Sequence, residues 1–155
     1  MPPSARPASA FVAVFLGLFV LIRNRFRVQA SSKYPPSVEA LLGRLPVDLR
    51  TRFSQAVNSV QLLPGDRMPP FIVAQTVGQD ITINEAILVG DYAFPLATLV
   101  HEMLHCEIPG GTDDHEWIYR ETVRLTAFDP AVQAYAQKEL DKFLRGAYYD
   151  PNEVR

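Results

Sequence analysis

The chain has 155 residues, 48% of them hydrophobic, and a formal net charge of −2, a size and apolar content that suit one compact domain. Arg6, Arg23, Arg25, Arg27 and Lys33 lie in the first 33 residues with no acid among them; removing those five from the fifteen basic residues leaves ten against seventeen acidic ones, a balance of −7 from position 34 onward. An acidic globular part is a poor candidate for a general phosphate-binding surface, so no nucleic acid is expected as a partner, and a lone cysteine, Cys106, excludes both an intrachain disulfide framework and a Cys-rich zinc ribbon.

The N-terminus stands apart. From Ala8 to Ile22 the chain is apolar but for Ser9 and Gly17, and three arginines follow. A secretory signal fits the apolar length, with Val28-Gln29-Ala30 as a cleavage site, but the arginines fall where a neutral stretch is expected. A transit peptide fits the basic, acid-free composition but should be amphipathic. A single-pass anchor fits the basic flank, although fifteen residues rise only ~22 Å against a hydrocarbon core of ~30 Å and would need thinning or snorkelling arginines. The flank favours the anchor and puts the domain behind it on the cytoplasmic side; secretion and organelle import are the alternatives. "SSKYPP" (31–36) reads as a linker; residues 1–34 are thus read as an apolar anchor or targeting segment plus linker, and residues 35–155 as the domain.

Helical spacing marks "SVEALLGRL" (37–45) and "PVDLRTRFSQAVNSVQLL" (46–63), the latter with Leu49, Phe53, Val57 and Val60 as one apolar stripe. "FIVAQTV" (71–77) and "DITINEAIL" (80–88) read as a short antiparallel hairpin about Gly78-Gln79, with Ile81 and Ile83 on one face. Pro95 suits a first helical turn, and Leu96, Leu99, Val100, Met103 and Leu104 recur as a buried stripe up to a stop at Pro109-Gly110-Gly111. Asp113 with Glu116 three residues later predicts a capped helix running to about Phe128, and Asp129-Pro130 starts a last one. The fold class expected is α+β: helices packed on a short antiparallel hairpin.

All three histidines fall in "HEMLHCEIPGGTDDHEW" (101–117). His101 and His105 are one turn apart on the same face, so their imidazoles can share one Zn²⁺ at ~2.0–2.1 Å. Glu102 beside them can take the proton of a metal-activated water. A catalytic zinc needs a third protein ligand; His115 across the Pro-Gly-Gly turn can supply it, and so can Glu121, six residues or ~9 Å further along the next helix. Glu116 reads as a cap, and Cys106 points about 100° away from His105 around the helix. H-E-x-x-H fixes only three of five positions and also arises as a structural histidine pair on a solvated face.

The order helix, hairpin ending in "ITINEAIL", helix with "TLVHEMLH", loop, then His-x-Trp opening another helix resembles the SprT-like zinc metallopeptidases, over roughly residues 37–128. The resemblance implies a minimal zincin-like domain with His101, His105 and His115 as zinc ligands, Glu102 as general base and proton shuttle, and a peptide or protein substrate. The family often has His-Gly before an aromatic at the third ligand; here His115-Glu116-Trp117 stands instead. The substrate would pair along the strand containing "ITIN", and Tyr92, Tyr119, Tyr148 and Tyr149 are the candidate transition-state donors. The alternative function is a membrane-tethered, non-catalytic zinc-binding or protein-interaction module, in which Glu102 would have no task.

Overall fold

The computed structural model describes residues 32–69, 71–108 and 114–146. The apolar segment and its anchor, signal and transit readings lie outside these residues, as do Pro109-Gly110-Gly111, Asp113, Tyr148 and Tyr149. Among the described residues no helix is long and apolar enough to cross a membrane.

The chain divides into units 1–32 and 33–155. In the second, α1 (Pro36–Leu42) and α2 (Val47–Ala56) precede β1 (Ser59–Leu63), β2 (Ala74–Val77) and β3 (Asp80–Asn84), with α3 (Ala93–Glu107), α4 (His115–Leu125) and α5 (Pro130–Leu144) after them. The fold is α+β, as expected, but the sheet is larger than a hairpin. Its order is β1-β3-β2, with β2 antiparallel and β1 parallel to the central β3.

The expected helix over 46–63 is therefore corrected: it stops at Ala56 and the chain turns extended at Val57. Asn58 and Ser59 stop it by donating from their side chains to Asp80 Oδ1, at 2.9 and 2.6 Å, which clamps the start of β1 to the start of β3. Asn and Ser are also weak helix formers, so little opposes the change to extended backbone. Val57 and Val60 are buried as the stripe required, but from extended backbone. The hairpin turn needs φ above zero at its first position, and Gly78 supplies it with φ 63. Ile81 and Ile83 are fully buried on the same face of β3.

Helix α3 is the centre of the unit, packing against the other four helices as well as β2 and β3. Its stripe of Leu96, Leu99, Val100, Met103 and Leu104 is wholly inaccessible to solvent. At its far end, Glu107 receives a two-pronged ion pair from Arg52 of α2, at 2.6 and 2.7 Å. The cap of α4 is Asp114 rather than Asp113: its carboxylate accepts from the Trp117 amide at 3.0 Å, while Glu116 pairs with Arg120. Helix α4 ends at Leu125, short of Phe128. Asp129 caps α5 as read from the sequence.

Lys33 and Tyr34, assigned to the linker by sequence, belong to the folded unit. Lys33 Nζ donates to the Ser54 and Val57 carbonyls, the Tyr34 hydroxyl donates to Val57 O at 2.9 Å, and its ring meets Phe53 edge to face with centroids 5.5 Å apart. Tyr34→Ala should therefore lower stability by roughly 3–5 kcal/mol, as other buried aromatic deletions do. Tyr34→Phe should lose about 1 kcal/mol, because Lys33 still serves the Val57 carbonyl. Urea unfolding checks both, and a chain beginning at Pro35 should behave like Tyr34→Ala; equal stability of chains beginning at Ser32 and Pro35 would contradict this placement.

Candidate metal and catalytic site

The site is built on the last two turns of α3. With the apolar stripe fixing the helix's rotation, positions 101 and 105 emerge together on a half-buried face, and position 102 turns about 100° toward the sheet. The Nε2 atoms of His101 and His105 stand 3.3 Å apart. Two nitrogens each ~2.0–2.1 Å from one tetrahedral ion stand about 3.3 Å apart, so the pair has the spacing of two zinc ligands. The rings are inclined at 64° with centroids 5.0 Å apart.

His115 opens α4 with its ring against His105, centroids 5.1 Å apart. All three imidazoles are thus neighbours, although among the described residues no three His, Cys, Asp or Glu side chains are arranged as a metal-holding group. The nitrogen spacing and the grouping of rings agree on the pair; the third donor is what this arrangement leaves short. Glu121 is engaged elsewhere. Both its oxygens accept from Arg124, at 2.5 and 2.7 Å, and this bonding holds its carboxyl below the usual range. Cys106 is buried, with its thiol pushed up to about 11 chiefly by burial.

The electrostatics suit neutral imidazoles, the form that binds metal. His101 is pushed down to about 3, first by burial and then by the neighbouring His105 and His115. His105 is lowered by burial and by His115. Glu102 is buried, and its Oε2 accepts a 2.5 Å hydrogen bond from Thr76 Oγ1 on β2. Burial raises its carboxyl to about 7 against the opposing pull of that bond. Thr76 escaped the sequence reading, because nothing in "FIVAQTV" marks which residue of a strand reaches a helix 26 positions later.

A cavity of about 270 Å³ opens beside this face. His101, Glu102 and Tyr119 form one wall, and residues 71–75, Phe94, Tyr135 and Glu139 form much of the rest. Phe71 holds φ 70, a left-handed conformation that bulky residues seldom adopt, and is 60% exposed at the rim. The strand that borders the cavity is β2, which has one neighbour in the sheet; β3, with "ITIN", is flanked on both sides. β3 therefore has no free edge, which corrects the expected pairing along "ITIN"; the edge strand beside the cavity is β2. The parallel β1, hidden in an apparent helix, is the reason. Among the tyrosines, Tyr119 lies against His101 with centroids 4.6 Å apart, whereas the Tyr92 hydroxyl donates to Asp129.

The metal-free chain should show two opposed pH dependences. His101, depressed from 6.5, contributes stability that is present above pH 6.5 and lost as pH falls toward 3. Glu102, raised from 4.5, contributes stability that is present below pH 4.5 and lost as pH rises through about 7. Glu102→Gln removes only the second. With a chelator present, the variant should match wild type at pH 4 and exceed it by a few kcal/mol at pH 8 in urea titrations. A wild type more stable than the variant at pH 8 would mean that Glu102 is not desolvated as described.

No family model, curated protein or solved structure matches this chain.

Proposed function

We propose that this chain is a zinc-dependent peptide-bond hydrolase of the SprT-like, zincin kind, with His101, His105 and His115 as ligands and Glu102 as general base. The observation that carries the reading is the 3.3 Å separation of two imidazole nitrogens on one helix face, with a buried, tethered carboxylate one residue away. Completing the donor set requires the His115 side chain to turn from its packing on His105 toward the pair. When bound, zinc supplies a Lewis acid for the scissile carbonyl and a water whose pKa is lowered to ~7.

The chain's own residues do the rest. Thr76 holds Glu102 Oε2, which leaves Oε1 to take the water's proton and deliver it to the leaving nitrogen. A carboxyl raised to about 7 by burial suits a group that must accept and release a proton near neutrality. The outer edge of β2 would pair with the substrate main chain and draw it across the face that carries His101 and Glu102. Tyr119, whose ring packs on His101, would donate to the developing oxyanion. The apolar residues 8–22 with their basic flank would hold the domain at the cytoplasmic face of a membrane.

One zinc per chain is expected by metal analysis. It should be lost in His101→Ala and His115→Ala and kept in Glu121→Ala; the reverse for the last two would reassign the third ligand. Glu102→Gln should keep its zinc while cleavage of an unfolded protein falls ~10²–10⁴-fold, the usual worth of a positioned base. Equal rates for wild type and Glu102→Gln would rule out this mechanism. Zinc binding without cleavage of any peptide in a broad library would favour the non-catalytic module.

A further inference from the structure

The cavity beside the histidines holds a carboxylate that the proposed chemistry does not use. Glu139 projects from α5 into the cavity lining, and its Oε1 is buried and accepts no hydrogen bond. Lys142 Nζ lies 3.2 Å from the same oxygen, near enough for charge attraction but not aligned as a hydrogen-bond donor. The carboxylate thus has one cation beside it and no hydrogen-bond donor, and with 31% of the side chain exposed a further donor can reach it.

The walls say what kind of group could bring one. Phe94 and Tyr135 stack at 28° with centroids 4.8 Å apart, and Ala97 and Ala136 keep the adjoining surface small. No lysine or arginine lines the cavity among the described residues, while two carboxylates, Glu102 and Glu139, do. A purely apolar side chain would cover the walls and take the exposed part of the Glu139 carboxylate from water with no donor in exchange. A long basic side chain lays its methylenes on the walls, brings donors to the carboxylate and passes its charge over aromatic faces. The balance of −7 beyond position 34 also draws basic peptides toward this domain.

We propose that this cavity is the subsite for a lysine or arginine of a bound peptide, and that Glu139 is the residue that selects it. The assignment rests on the hydrolase reading only in taking the ligand to be a peptide. Binding is therefore measured apart from turnover, with the full chain carrying Glu102→Gln and fluorescent peptides that differ at one position, Lys, Arg or norleucine. The Lys and Arg peptides should bind ~10–100-fold more tightly than the norleucine peptide, the range of a charge-assisted hydrogen bond. Adding Glu139→Gln should remove that difference while leaving norleucine-peptide affinity in place, which also shows that the variant is folded. Lys142→Ala should strengthen binding of the Lys peptide by freeing the carboxylate. Equal affinities for Lys and norleucine, a preference that survives Glu139→Gln, or no measurable binding of any peptide would overturn the assignment. Cleavage of the same peptides by the wild-type chain tests the hydrolase separately: intact Lys selectivity without cleavage defeats the hydrolase and leaves the subsite standing.

Discussion

The rotational setting of α3 is the constraint on which everything else depends. Five fully buried side chains on one stripe, from Leu96 to Leu104, leave the helix no freedom to turn about its axis. A rotation of a third of a turn would bury His101 and His105 in the apolar core and expose Met103 in their place. Because the stripe is locked, two imidazoles meet at ligand spacing on one side and Glu102 reaches the sheet on another. The Arg52–Glu107 ion pair holds the end of the same helix against α2. Core packing and site geometry are in this sense one arrangement: the residues that bury the helix also aim it.

The sheet supplies the second requirement. A carboxylate that is to move a proton, as proposed for Glu102, has to be dry and yet held in a fixed orientation, and few groups can satisfy both demands. Thr76 meets them because β2 is an edge strand laid over α3, so that one short polar side chain faces the helix. Ala74 and Gln75 of the same strand line the cavity. One strand thus tethers the Glu102 carboxylate and lines the cavity, so that under the proposed function proton transfer and substrate alignment would share a single rigid element.

How much of this was legible in the sequence follows the range of the forces involved. Local patterns carried far: the α3 stripe, the one-turn spacing of His101 and His105, the Gly78 turn, Asp129 as a cap and the inward face of β3 all depend on neighbours within a few residues. The ends of elements were less legible. Asp114 instead of Asp113 caps α4, a choice between adjacent aspartates that composition cannot make. What escaped altogether came from distant partners. β1 carries a helical pattern because Val57 and Val60 continue the spacing of α2, and only Asp80, more than twenty residues away, turns Asn58 and Ser59 into a stop. Thr76 and Glu139 gained their places the same way, through elements brought together by folding. Glu121, a rival ligand on sequence spacing, is bound by Arg124 one turn along its own helix.

The central claim is that three imidazoles of one chain converge on a single ion. X-ray absorption at the zinc edge, on the full chain loaded with one equivalent of zinc, tests it most directly. The account predicts a first shell of light atoms at ~2.0–2.1 Å, with the outer-shell signature of three imidazoles that falls to two in His115→Ala. A sulfur scatterer near ~2.3 Å, which would bring in Cys106, a shell of carboxylate oxygens with fewer than two imidazoles, or a chain that retains no zinc would contradict it.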